Sequence, residues 1–81
     1  MAFKVTLTER AVQDLEKLDV STRSLLLCWL KKNLDGCYNP RSFGYQLEKY
    51  NYNYWKYRLG DYRLLSLIEK EEVVVLGLAQ K

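Results

Sequence analysis

Lys56, Arg58 and Arg63 crowd one short stretch, Tyr54-Trp55-Lys56-Tyr57-Arg58-Leu59-Gly60-Asp61-Tyr62-Arg63, interleaved with aromatic residues. Lysine meets a phosphate as a point charge and arginine as a planar fork of donors. A tyrosine beside them offers a ring on which a base can stack. These groups act together only if the backbone brings them to one side, and Gly60-Asp61 is suited to do so. A two-residue type II′ turn wants glycine first, where φ is positive, between runs rich in aromatic and aliphatic residues. Counting outward from that turn, Leu59 opposes Tyr62, Arg58 opposes Arg63, Tyr57 opposes Leu64 and Lys56 opposes Leu65. Alternation then puts Tyr54, Lys56, Arg58, Arg63, Leu65 and Leu67 on one face, and Trp55, Tyr57, Leu59, Tyr62, Leu64, Ser66 and Ile68 on the other. Two directly opposed arginines repel, at a cost of a few tenths of a kcal/mol. The pair is a poor choice for stability alone, and an anion between them would relieve it.

The neighbouring residues admit two roles. Tyr50, Tyr52, Tyr54, Trp55, Tyr57 and Tyr62 are dense enough to be sheet core and cross-strand pairs. Tyr50, Tyr52 and Tyr54 also share the parity of Lys56 and Arg58, which describes a base-stacking surface beside phosphate-binding cations. Arg41 and Lys49 read first as solvated charge, with reach to a phosphate as a second role. Lys31 and Lys32 read first as surface residues that compensate a helix dipole, with function as a second role.

The net charge of +3 fits a polyanionic or acidic partner and equally an ordinary basic domain. Histidine is absent, which removes the commonest general base, triads and the usual zinc ligands. Lysine, arginine, tyrosine and the carboxylates remain for any catalysis, and neither a metal nor a cofactor is expected. Cys28 and Cys37 read as free thiols in a reducing, cytoplasmic setting. No apolar run approaches a membrane span and no signal-peptide pattern opens the chain, so no membrane partner is expected.

The elements that must position the hairpin follow from periodicity. Phe3-Lys4-Val5-Thr6-Leu7 alternates as a first strand. Thr8 is suited to cap a helix running to Leu18, with Glu9 in its first turn and Ala11, Val12, Leu15 and Leu18 as its apolar stripe. After Asp19-Val20, Ser21 is the expected cap of a second helix, which buries Leu26, Leu30 and Leu34 with Leu27 and Trp29 and stops at Gly36. So short a link predicts an antiparallel helical hairpin. Gly36 to Gln46, with Asn39-Pro40, reads as a loop. The strand Tyr62 to Ile68 is apolar on both faces, as a central strand should be. Glu69 to Glu72 is a charged turn, and Val73 to Ala79 a last strand. The 81 residues therefore predict one α+β domain over 1–81. It has an N-terminal strand, a helical hairpin and a three-stranded antiparallel meander, with the helices on one face of the sheet.

At Arg58-Leu59-Gly60-Asp61-Tyr62-Arg63, followed by Leu64-Leu65 and a valine-rich strand, the sequence resembles the RelE/ParE superfamily of bacterial and archaeal toxins of toxin–antitoxin modules. Thr8-Glu9-Arg10-Ala11, Asp14-Leu15 and Leu18 are similar to the family's first helix, and the element order agrees over nearly the whole chain. The resemblance to RelE-type members implies a metal-independent, ribosome-dependent mRNA endonuclease that inhibits translation by attack of a ribose 2′-hydroxyl on its own 3′-phosphate. A cognate antitoxin, bound as a hetero-oligomer, and the ribosome with its mRNA are the implied partners. By position the resemblance carries over to Arg63, Lys56 and Arg58; with the residues singled out by parity and charge, the catalytic candidates are Lys56, Arg63 and Lys81, and the RNA-binding candidates are Arg58, Tyr54, Tyr52, Lys49 and Arg41. Two departures stand out. Tyr54 occupies the place of a second RelE lysine, and the sequence ends Leu78-Ala79-Gln80-Lys81 where active members continue to a terminal tyrosine. Lys81 would stand in for an arginine of that segment, although the four-residue turn puts Gln80 on the cationic face instead. The alternatives are a ParE-type gyrase inhibitor, or a degenerate toxin that only binds an antitoxin.

Overall fold

A computed structural model describes residues 2–47 and 53–80. In chain order the elements are β1 (Lys4–Leu7), α1 (Glu9–Glu16), α2 (Val20–Trp29), β2 (Tyr45–Gln46), β3 (Tyr54–Leu59), β4 (Tyr62–Ile68) and β5 (Glu72–Gln80). A π-helical turn, Leu30–Leu34, extends α2, and a 3-10 turn, Pro40–Ser42, precedes β2. The sheet order is β1-β5-β4-β3-β2, with β1 parallel to β5 and the other pairs antiparallel. This is the expected α+β architecture, with one further edge strand.

Thr8 caps α1 as its residue type predicts: its backbone is extended and its hydroxyl accepts the Ala11 N–H at 3.1 Å. The second cap falls on Asp19, not Ser21, because the Asp19 carboxylate reaches the Thr22 N–H at 3.3 Å and starts the helix one residue after itself. Hydrogen bonds from Thr22 are the main cause that holds the Asp19 carboxyl below its usual pKa. Leu26, Leu30 and Leu34 are buried as the stripe predicts, whereas Leu27 is exposed and Trp29 half-buried. Gly36, at φ +83°, ends the helix. Its N–H donates to the Phe3 carbonyl at 2.7 Å, and Phe3 N–H donates to the Cys37 carbonyl at 2.7 Å. The departing chain thus covers part of the outer edge of β1, and the Asp35 carboxylate accepts the Val5 N–H beside it.

The core lies between the helices and one face of the sheet and centres on Ala11, Leu30, Leu34, Tyr57, Leu64, Val73 and Val75. Tyr57 is fully buried, and its hydroxyl donates to the Pro40 carbonyl at 2.9 Å, fastening the 3-10 turn beneath the sheet. Burial pushes its phenol well above the ordinary tyrosine pKa. The opposite face carries half-buried Tyr54, Lys56, Arg63, Leu65, Leu67 and Val74.

The β3–β4 pairing matches the counted register at every position from Leu59–Tyr62 to Lys56–Leu65 and continues to Tyr54–Leu67. Two expectations are corrected. The loop before the meander contains β2, which pairs Tyr45 with Lys56 and Gln46 with Trp55. On β5 the four-residue turn sets Ile68 opposite Val73 as expected, but Leu65 then faces Gly77 while Ser66 faces Val75, so Leu76 is left over as a bulge. The remaining pairs move by one: Ala79 faces Arg63, and Gln80 faces Tyr62 instead of joining the cationic face.

Candidate functional site

The turn that organises the site has the backbone its glycine was expected to supply. Gly60 sits at φ +61° and no other residue type has positive φ among the described residues, so Asp61 follows with negative φ, the type II′ pattern. Arg63 reinforces this turn. Its Nη1 donates to the Gly60 carbonyl at 2.9 Å and to the Tyr62 carbonyl at 3.0 Å, which fixes one corner of the guanidinium. Nε and Nη2 make no hydrogen bond to the described residues and keep their donors for another acceptor.

Arg63, Lys56 and Tyr54 line one concavity of about 520 Å³ on the face away from the helices. Leu47, Leu65 and Leu76 supply its apolar floor, and Ala79 lies at its rim. Arg58 stands opposite Arg63 in the register, on the same face and exposed. The only ion pair among the described residues joins Arg10 and Asp14, so none of the three cations has a described carboxylate within salt-bridge distance. Among the described residues no carboxylate offsets their mutual repulsion at salt-bridge distance, so a bound polyanion would relieve it. Chemically, the groove offers two cations, a tyrosine and an apolar floor. This suits a phosphodiester at one end and the flat face of a base beside it.

The other predicted site residues lie apart from this set. Arg41, in the 3-10 turn, places its guanidinium 5.8 Å from the ring centroid of Trp55. Trp55 packs against the core on the helix side, so Arg41 is not brought into the groove. Tyr52, Lys49 and Lys81 lie outside the described residues, as does Tyr50. Tyr45 is a residue that sequence reasoning missed. β2 sets it opposite Lys56, 42% exposed, as a further ring beside the cations. The signal was the alternation of Phe43, Tyr45 and Leu47, together with Gly44. A Cβ at position 44 would meet the Tyr57 and Trp55 rings at 2.8 and 2.9 Å, so β2 lies against β3 only because residue 44 has no side chain.

This fold belongs to a known class. A family model described as the ParE toxin of the type II toxin–antitoxin system parDE matches residues 5–79. The chain belongs to this family and is a toxin of a type II toxin–antitoxin system. Among solved structures it is similar to a chain of the toxin–antitoxin complex RelBE2 from Mycobacterium tuberculosis, at 25% identity and a TM-score of 0.86 over 100% of this chain and 93% of that one. The RelB–RelE antitoxin–toxin complex from Methanococcus jannaschii shares the fold at 15% identity and a TM-score of 0.72, over 93% of this chain and 88% of that one. So does an arginine-to-alanine double mutant of the Escherichia coli toxin RelE in the free state, at 24% identity and a TM-score of 0.72, over 99% and 84%. No curated protein matches the chain in sequence. Among the described residues no helix is long and apolar enough to cross a membrane.

Proposed function

We propose that this toxin is an mRNA endonuclease acting in the ribosome, and that the groove at Lys56 and Arg63 holds the scissile phosphate. The observation that carries the reading is the convergence of Lys56 and Arg63, from paired strands, on one concavity with Tyr54 and an apolar floor. In the reaction the ribose 2′-oxygen forms a bond to the adjacent phosphorus, the bond from phosphorus to the 5′-oxygen breaks, and the 2′-hydroxyl proton departs while the leaving oxygen gains one. Negative charge grows on the non-bridging oxygens as the phosphorane forms. Arg63 meets it with the donors its turn hydrogen bonds leave over, and Lys56 adds a second positive charge from the neighbouring strand. Tyr54 and Tyr45 stack the flanking bases, Arg58 binds a neighbouring phosphate, and Lys81 remains a proposed participant. The kinship to toxins solved with their antitoxins supports a cognate antitoxin as the protein partner of this chain.

The test is cleavage of mRNA on purified programmed ribosomes. The wild type should cut within translated codons. Lys56→Ala, which removes no described hydrogen bond, should slow cutting by about 10²-fold or more, the usual loss for one transition-state donor. Arg63→Ala should do the same with an unchanged circular dichroism spectrum. Cleavage at the wild-type rate by both folded variants would refute the assignment.

A second reading, a ParE-type gyrase inhibitor, is favoured by the description of the matching family model. After induction in a bacterial host it predicts DNA-damage signalling with intact transcripts. The endonuclease predicts codon-specific breaks instead. A degenerate toxin would bind its antitoxin and give neither.

A further inference from the structure

Alternation carried along β5 from the Ile68–Val73 pair would set Leu78 opposite Arg63. Ala79 stands there instead because Leu76 drops out of the ladder. A bulge breaks ladder hydrogen bonds and leaves backbone groups that need other partners. Those partners come from α1 and its cap, on the side of the sheet away from the groove. Thr8 donates its hydroxyl to the Leu76 carbonyl at 3.0 Å. Asp14 Oδ2 accepts the Leu78 N–H at 3.1 Å, while Oδ1 takes Arg10 Nε at 3.2 Å. The Asp14 side chain is 12% exposed, and the Leu78 hydrogen bond is the main cause that lowers its pKa. Gly77 completes the fit, since a Cβ there would come within 3.3 Å of Asp14 Oδ2. The bulge is thus held by a cap hydroxyl, a carboxylate and a missing side chain.

We propose that Asp14 is a positioning residue for the cationic groove. With Thr8 it holds the Leu76–Gly77 bulge, and so decides that Ala79, not Leu78, comes opposite Arg63 at the C-terminal end of β5. A leucine at that place would put a branched side chain beside Arg63 where the rim now has a methyl group. The catalytic consequence rests on the RNA-cleaving function proposed above; the register itself does not.

The experiment uses the full chain and reads two quantities. Cross-strand NMR contacts report the partner of Arg63, and the programmed-ribosome assay reports cleavage. Asp14→Ala should move the Arg63 contact from Ala79 to Leu78 and slow cleavage by about 10²-fold, as small misplacements at reacting groups do. Asp14→Asn keeps an oxygen for the Leu78 N–H and should keep the Ala79 contact. Deleting Leu76 in the Asp14→Ala background gives a regular ladder that again pairs Arg63 with Ala79; because the deletion also takes a side chain from the groove floor, its readouts are the Arg63–Ala79 contact and the recovery of stability, not the cleavage rate. If Asp14 acts only within α1, the deletion restores neither. An Asp14→Ala protein that keeps the Arg63–Ala79 contact would overturn the proposal. If Asp14→Ala does not fold, the Leu76 deletion decides. A folded double variant with Arg63 opposite Ala79 supports the proposal, and one that also fails to fold overturns it. A wild type that cuts no RNA would sink the endonuclease reading and leave the register measurement to decide the role of Asp14.

Discussion

Arg58→Gln sets the structural and functional accounts of the hairpin against each other, because they demand changes of opposite sign. In a two-residue hairpin the Leu59–Tyr62 pair that closes the turn is hydrogen-bonded, so Arg58 and Arg63 form the next, non-hydrogen-bonded pair. Such pairs bring their Cα atoms to about 4.5 Å and their side chains closest together. No described carboxylate lies within salt-bridge distance of either arginine. Cross-strand charge pairs contribute about 0.2–1 kcal/mol, and exposure of Arg58 sets the repulsion near the low end, about 0.3 kcal/mol. Removing one charge should raise Tm by roughly 1–2 °C in a domain of this size, at about 4–8 °C per kcal/mol. Added salt should erase the gain. Binding of single-stranded RNA should weaken over the same change. The slope of log K against log salt should fall by about 0.7, the value for one phosphate that Arg58 no longer neutralises. Calorimetry at low ionic strength and fluorescence anisotropy over a salt series measure the two effects. A lower Tm with an unchanged salt slope would make Arg58 an ordinary structural residue and refute the reasoning.

Gly44→Ala forces a methyl group against the Tyr57 and Trp55 rings, so it should cost about 1–3 kcal/mol in denaturant unfolding and release Tyr45 from its place beside Lys56. An unchanged unfolding midpoint would contradict the packing of β2. Stability should also decline at both ends of the pH scale, for different groups. Asp14 and Asp19 carry depressed pKa values in the folded chain, so the stability they supply is complete above the ordinary carboxylate range and is lost as pH falls through their folded values. Asp19→Asn should flatten part of that acid limb in pH-dependent denaturation. Tyr57 has a raised pKa, so its contribution is complete below the ordinary tyrosine value and is lost as pH rises towards the folded one; Tyr57→Phe should remove that alkaline slope.

What can be read from the sequence divides by how far apart the determining residues lie. The hairpin register is legible because a turn glycine and alternation over a few residues determine it, and nothing distant intervenes from Leu59–Tyr62 to Tyr54–Leu67. The cap of α2 lies two residues before the expected one because Asp19 and Ser21 are both good cap types, and only the reach to Thr22 separates them. From the sequence Arg41 reads first as solvated charge and second as a group that could reach a phosphate. The buried bond from Tyr57 to the Pro40 carbonyl draws its turn to the helix side, and its guanidinium faces Trp55. The bulge in β5 is invisible for a different reason. The Leu78 N–H that it frees is satisfied by Asp14, 64 positions earlier in the chain. A two-residue period within one strand holds no trace of that.

The same division of local from distant determinants separates the roles of the three cations. Lys56 and Arg63 lie on strands paired on both sides, and Arg63 is further pinned by its hydrogen bonds to the turn carbonyls, so the Arg63 charge is held in place before any ligand arrives. Preorganised charge acts on the transition state without reorganisation, and its loss falls mainly on kcat. Arg58 is exposed near the tip of the hairpin, so under the proposed endonuclease function its loss should fall on association and on KM. In the proposed function the Arg58–Arg63 pair fits that arrangement, because a polyanion bound between the two guanidinium groups relieves their repulsion.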